Sequence, residues 1–363
     1  MAEKSIGEIG VSREPLVIDA DMELSEALKF LSNSWIRGCP VRSADKQSFV
    51  GTLDLREACP FLIEMYKEKR SVTRMSKSGS FKRTPSRQER ESEVAQAATL
   101  VEYIRTFGTK WSVSDLAKKR AFPIFRPSVT ILEAARALSS GSHIIGIDGG
   151  PESTGGLSKV ITQGALFRYL APLLQNTATP LYEFMRTPVL AVTAKTTALR
   201  SFEILIRKGI SGLPVVNKEG AIIHQTSTSD VKILMTANID GDLTLEENIE
   251  DFLVKLRASK PSLKTKVPVA SCAQTDELSA VVNKLIRTGF HRVWVVDRKK
   301  KPIGVMSLSD LLRSLVKRAE GALGPAPDEP SPHLVATYGG DDGLPHLFVH
   351  EPEPHTACKC ILS

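Results

Sequence analysis

The chain is poor in the features that mark several large functional classes. Only 6% of its 363 residues are aromatic, and no stretch approaches the roughly eighteen consecutive apolar residues of a membrane-spanning helix. Met1 to Val11 carries acids and glycines without a seven-residue apolar run, so the sequence predicts neither a signal peptide nor a membrane span. Five cysteines, Cys39, Cys59, Cys272, Cys358 and Cys360, are odd in number and mostly set inside apolar runs. They argue against a disulfide framework and for a reducing intracellular compartment. No Gly-x-x-x-x-Gly-Lys-Ser/Thr occurs, and His291-Arg292 is followed by Val293 with no Asp-Phe-Gly elsewhere, so neither an ATPase nor a kinase is expected. No metal is expected either. Asp240-Gly241-Asp242 opens like a calcium loop but carries Leu245 where that loop needs Gly, and His333, His346, His350 and His355 lack metal-ligand spacing.

What the chain does have is 42% hydrophobic residues, enough for a large core over two or three domains, and a net charge of +7. The position of that charge decides its meaning. Lys67 to Arg90 holds nine Lys/Arg and two Glu, and nine minus two accounts for the whole excess. The rest is near neutral, so a folded face built for nucleic acid is not expected.

A unit of roughly fifty to sixty residues recurs four times. Each runs through an extended stretch, an amphipathic helix, a short apolar strand, a turn, a second strand and a second helix. The third unit shows it as Pro188 to Thr193, Thr197 to Arg207, Gly212 to Val216, Ala221 to Thr226 and a helix from Ser229. The fourth repeats it over Glu277 to Arg287, Arg292 to Val296, Ile303 to Met306 and a helix from Ser309. In the second only the helix Ile131 to Leu138 is clear, because Gly149, Gly150, Gly155 and Gly156 loosen its hairpin. The expected organisation is repeat one over 12–66, a disordered basic insert over 67–93, a degenerate repeat two over 94–175, repeat three over 180–240, a linker helix and repeat four over 241–317, and a flexible Pro-rich tail over 318–363.

A strand, a hydroxyl-rich turn and an Asp opening a helix recur as Thr226-Ser227-Thr228-Ser229-Asp230 and Met306-Ser307-Leu308-Ser309-Asp310. Hydroxyls and free N–H groups at a helix start suit phosphate, and a carboxylate accepts both hydroxyls of a ribose. The same spacing is also ordinary helix capping. Two copies in register within repeats favour the ligand reading.

These motifs, with Phe290-His291-Arg292-Val293-Trp294-Val295-Val296, Ile210-Ser211-Gly212-Leu213-Pro214-Val215-Val216 and Asp45-Lys46-Gln47-Ser48-Phe49-Val50-Gly51, resemble cystathionine-beta-synthase (CBS) type repeats, in wording close to the gamma subunit of AMP-activated protein kinase. The resemblance spans about Pro15 to Val316. It implies an α/β fold in which four CBS repeats pair into two Bateman modules forming a disc, and a non-catalytic subunit that binds AMP, ADP or ATP and controls a kinase through catalytic and scaffold partners. It assigns Asp230 and Asp310 to ribose, Ser307, Ser309, His291 and Arg292 to phosphate, Thr187 and Ser211 to the edge of an adenine slot, and Arg37 to a central charge cluster. In repeat one the motif instead reads Asp54, Arg56 and Glu57, and in repeat two basic pairs are replaced by His143-Ile144 and Gly164-Ala165. Two or three central charges are thus expected to be missing, which places ligands mainly in the second module. The alternative is a stand-alone CBS scaffold or effector-gating module with another adenosyl ligand or none.

Two further expectations lie outside the repeats. Arg70-Ser71-Val72-Thr73 and Arg83-Thr84-Pro85-Ser86 place hydroxyls three residues after Arg, as basophilic kinases prefer. Cys360-Ile361-Leu362-Ser363 fits a prenylation box with Cys358 as a palmitoylation partner, implying a cytoplasmic protein with a membrane tether.

Overall fold

A computed structural model describes residues 4–10, 15–34, 36–46, 48–78, 99–107, 110–150, 156–175, 179–235, 244–258, 268–321, 334–338 and 345–349. Repeat one comprises β1 (Ile18–Asp19), α1 (Leu24–Asn33), β2 (Gly38–Arg42), β3 (Phe49–Asp54) and α2 (Leu55–Ser78). After α3 (Leu100–Phe107) and α4 (Val113–Ala117), repeat two follows as β4 (Ile124–Phe125), α5 (Ile131–Ser139), β5 (Ile144–Asp148), β6 (Leu157–Thr162) and α6 (Gln163–Gln175). Repeat three is β7 (Val189–Thr193), α7 (Ala198–Lys208), β8 (Gly212–Val216), β9 (Ile222–Ser227) and a 3-10 helix, Thr228–Met235. The connecting α8 (Ile249–Ala258) leads to β10 (Ser271–Ala273), α9 (Leu278–Thr288), β11 (Arg292–Val296), β12 (Pro302–Ser307) and α10 (Leu308–Ala319).

Local chemistry fixes these boundaries. Thr197 caps α7 by accepting the Arg200 N–H, and Gly209 ends it in the left-handed region at φ 62°. Ser307 with Asp310, and Thr130 with Glu133, form reciprocal capping boxes at α10 and α5. Each repeat builds one three-stranded unit in which the first strand lies parallel to the second and the second antiparallel to the third.

The repeats make two kinds of contact. Through their sheets, one meets two and three meets four: the Thr52 N–H donates to Arg120 O at 2.8 Å, Arg186 and Val305 exchange backbone bonds at 2.8 and 3.1 Å, and the Trp294 indole donates to Gln225 at 2.8 Å. Through their helices, one meets three and two meets four. One core joins Leu28 and Leu62 to Phe202 and Phe252; the other joins Ile131 and Leu170 to Leu285 and Leu311. Each such side chain contributes about 1.5–3 kcal/mol on burial, so the helical seams are held by apolar packing.

Four features depart from the sequence reading or add to it. The basic insert was expected to be disordered from residue 67, yet α2 continues to Ser78. Its face docks on repeat three, where Lys67 pairs with Glu203 at 2.7 Å and Tyr66 donates to Glu246 at 2.6 Å, while the Thr73 hydroxyl bonds back to Lys69 O at 2.9 Å. The Arg83 to Ser86 motif lies outside the described residues. The tail, expected to be flexible and without central strands because of its prolines, forms β13 (Leu334–Tyr338) and β14 (Pro345–Val349), with β13 between β14 and β7 and parallel to β7; the one proline in these strands, Pro345, stands at a strand start. Cys358 and Cys360 lie outside the described residues. The helix expected from Ser229 is present as Thr228–Met235 but winds as a 3-10 helix, a distinction the sequence reading did not draw. Ile6 and Ile9, ahead of repeat one, are fully buried in the core of repeats two and four, tied by the Ile6 N–H to Val129 O at 2.8 Å.

Candidate functional site

The hairpins set the geometry of the site. The last residue of the second hairpin strand faces the first residue of its partner in every repeat: Asp54 opposite Gly38, Thr162 opposite Ile144, Ser227 opposite Gly212, and Ser307 opposite Arg292. One residue earlier, the carbonyls of Arg37, His143, Ser211 and His291 accept the N–H of the next residue along each turn, Leu55, Gln163, Thr228 and Leu308, at 2.9, 2.9, 3.3 and 3.0 Å. Arg37, His143, Ser211 and His291 are therefore structurally equivalent, one from each repeat.

Three of them line a cavity of about 750 Å³: Arg37, His143 and His291. All four repeats contribute to its wall, with Asp230, Ser227 and Ser229 from repeat three and Arg292 from repeat four. Five side-chain cations, Arg37, Arg168, Lys232, Arg257 and Arg292, face one carboxylate, Asp230. Ile36, Ile233, Leu253, Leu256 and Phe290 give an apolar side. A concave space of this size with one apolar wall and convergent cations suits an anionic ligand carrying a planar group.

The charges disturb one another. Burial lowers the Arg292 guanidinium to about 10, with Arg37 pushing it further down and Asp230 and Asp310 opposing. Burial holds His291 well below its ordinary value, helped by Arg37, His143, Arg292 and Arg168, so its imidazole is neutral at pH 7. Arg37 is lowered by burial, against the attraction of Asp54 and Asp230. Burial raises the Asp230 carboxyl, and the hydrogen bonds from Ser227 and Thr226 pull the other way. Those bonds, at 2.7 Å from Ser227 N–H and 3.1 Å from the Thr226 hydroxyl, both fall on Oδ2, and Oδ1 accepts no hydrogen bond among the described residues.

Asp230, Arg37, His291 and Arg292 are thus brought together. Ser211 stays out of the cavity wall but anchors Arg292, whose Nη2 donates to its hydroxyl at 2.8 Å. The remaining expected ligands are engaged elsewhere. Asp310 accepts the Ser307 N–H and hydroxyl on Oδ2, and Arg186 at 2.5 Å and Arg313 at 3.0 Å on Oδ1. Ser307 is its capping partner, Ser309 accepts from Gln163 at 2.9 Å, and Thr187 is exposed away from the cavity.

The expected loss of central charge is corrected. Gly164 and Ala165 line the cavity as read, but Arg168, one helical turn beyond Gly164 on α6, restores a cation. Arg257 on α8 adds another, held by His224 and by Pro268 O at 2.9 Å. Sequence reasoning passed over both; the i, i+4 spacing from Gly164 was the available signal for Arg168.

The CBS domain model matches residues 6–63, 181–233 and 263–317. Those three segments are CBS domains. Among curated proteins it is similar to the gamma-3 subunit of 5'-AMP-activated protein kinase from Sus scrofa, 25% identical over 86% of this chain and 56% of that one. It is also similar to the gamma subunit from Dictyostelium discoideum, 20% identical over 85% of this chain and 50% of the relative. It thus resembles the kinase gamma subunits while spanning about half the length of these relatives. A solved Methanocaldococcus jannaschii protein, described as a proposed archaeal homologue of gamma-AMPK, shares the fold with a TM-score of 0.60 and 15% identity, covering 86% of this chain and 100% of that one.

Proposed function

We propose that this chain is a non-catalytic regulatory subunit that senses adenine nucleotides in its central cavity and controls a kinase of the AMP-activated type. One observation carries the reading: a single cavity that all four repeats line, with five cations against one carboxylate. In this reading the adenine lies on the apolar side near Leu253, Leu256 and Phe290, and Oδ1 of Asp230 accepts ribose hydroxyls. Arg37, Arg257 and Arg292 hold the phosphate by charge-assisted bonds. A ligand there touches groups from several repeats at once, so its binding energy is available to change how the modules sit, which is what a regulatory subunit needs.

Titration calorimetry with AMP, ADP and ATP tests the proposal directly. Binding by the wild-type chain, lost in Asp230→Ala, is the expected outcome, together with co-purification of a kinase catalytic subunit. Binding of a different adenosyl compound with no kinase attached would assign the chain to stand-alone effector gating instead.

A further inference from the structure

The position that ends the second hairpin strand carries a hydroxyl in three repeats, Thr162, Ser227 and Ser307, and a carboxylate in the first, Asp54. Asp54 is 1% exposed and therefore not a stray surface charge. Its Oδ2 lies 2.8 Å from His143 Nδ1, and its Oδ1 accepts the Arg56 N–H at 2.8 Å. Its charge also acts on Arg37. Arg37 and His143 both line the central cavity, so Asp54 sits directly behind part of the cationic wall. The neighbouring acid is sequestered as well: Glu57 pairs with Arg120, and Arg120 and Arg56 both donate to Gly141 O, at 2.7 and 3.0 Å.

We infer that Asp54 is a built-in counter-anion that sets the charge of the ligand the cavity accepts, favouring a nucleoside monophosphate over a triphosphate. The inference rests on the nucleotide reading above and adds the charge preference to it. A first phosphate meets Arg257 and Arg292, whose opposing carboxylates are Asp230 and, for Arg292, also Asp310. Each further phosphate must draw on Arg37 and His143, which Asp54 already engages. In a partly desolvated cavity a buried like charge of this kind, even with Arg56 Nε 3.5 Å from its Oδ1, is worth about tenfold in affinity.

The test measures affinities for AMP, ATP and inorganic tripolyphosphate in the wild-type chain, in Asp54→Ser, which restores the hydroxyl of the other repeats, and in Asp54→Asn, which keeps the shape if the serine variant fails to fold. The expected result is a rise of about tenfold in the ATP-to-AMP affinity ratio, with tripolyphosphate gaining in parallel. If tripolyphosphate gains in the variants while no nucleotide binds any form, the counter-anion role stands and the nucleotide reading falls. Unchanged ratios and unchanged tripolyphosphate affinity in a folded variant overturn the inference.

Discussion

Gly212 offers the sharpest test of the cavity. It opens β8 in repeat three, and the Arg292 guanidinium of repeat four lies across it: a Cβ there would run into Nη1 and Cζ and stand 2.9 Å from Nε. Gly212→Ala must therefore push Arg292 off its 2.8 Å bond to Ser211 and out of the cavity wall. The colliding atoms are the far end of a flexible side chain already lowered by burial and by Arg37, so the unliganded protein should lose only about 1 kcal/mol. Ligand binding should suffer more. Losing a charge-assisted bond to phosphate costs about 1.5–3 kcal/mol, or about 10- to 150-fold in affinity. At a ligand concentration of about 100 times the wild-type Kd, ligand stabilisation falls from about 2.7 to about 0.3–1.3 kcal/mol. With about 1–2 °C per kcal/mol for a chain of this size, the ligand-induced rise in Tm should shrink from about 3–5 °C to about 0.3–3 °C. Differential scanning calorimetry with and without AMP reads this out. Arg292→Ala should match it, and the double variant should be no worse than either single one. A Gly212→Ala protein that keeps the full ligand-induced shift while Arg292→Ala loses it would refute the reasoning.

Asp310→Ala should leave cavity binding intact while lowering stability by about 1–2 kcal/mol through the lost cap and the lost bonds from Arg186 and Arg313, whereas Asp230→Ala should do the reverse; calorimetric titration and melting of both variants check the split. Gly51→Ala, whose Cβ would collide with Ala117 O and stand 2.7 Å from Arg120 O, should destabilise the junction of repeats one and two by about 1–3 kcal/mol, seen as an earlier denaturant midpoint. His291 and His143 are lowered by burial and His224 is lowered to about 4, so between about pH 6.5 and 4 the unfolded chain binds protons that the folded chain refuses. Unliganded stability should thus fall with pH across that window, and an anionic ligand, by favouring the charged His291 and His143, should flatten the fall; a Tm that is level from pH 7 to 4.5 without ligand would contradict it.

Local pattern made the hairpins of repeats three and four legible to within a residue or two, because runs such as Val293-Trp294-Val295-Val296 sit between turn residues that permit no other register. Arg37, Asp230, His291 and Arg292 were reachable through the resemblance to CBS repeats, which implies a role for each at its place beside a hairpin. The motif that was hardest to judge was the one repeated most cleanly. Ser307 and Asp310 satisfy each other, and only the approach of Arg186 from repeat three shows that both carboxylate oxygens are taken. Arg257 and the Asp54–His143 pair depend on contacts between residues 33 and 89 positions apart, for which no local period exists. Likewise the buried Ile6 and Ile9 belong to a core formed a hundred residues downstream.

The alternation of sheet contacts and helix contacts closes the four repeats on themselves, so each has two neighbours and none stands at an end. An open array of repeats can shed or gain a unit at its edge and needs polar caps there. A closed one cannot. Removing any repeat here would bare a sheet edge on one side and a helical seam on the other, and would open the wall of the shared cavity in the same stroke. Integrity of the ring and occupancy of its centre are therefore one quantity, and a molecule bound at the middle acts on every joint of the circle.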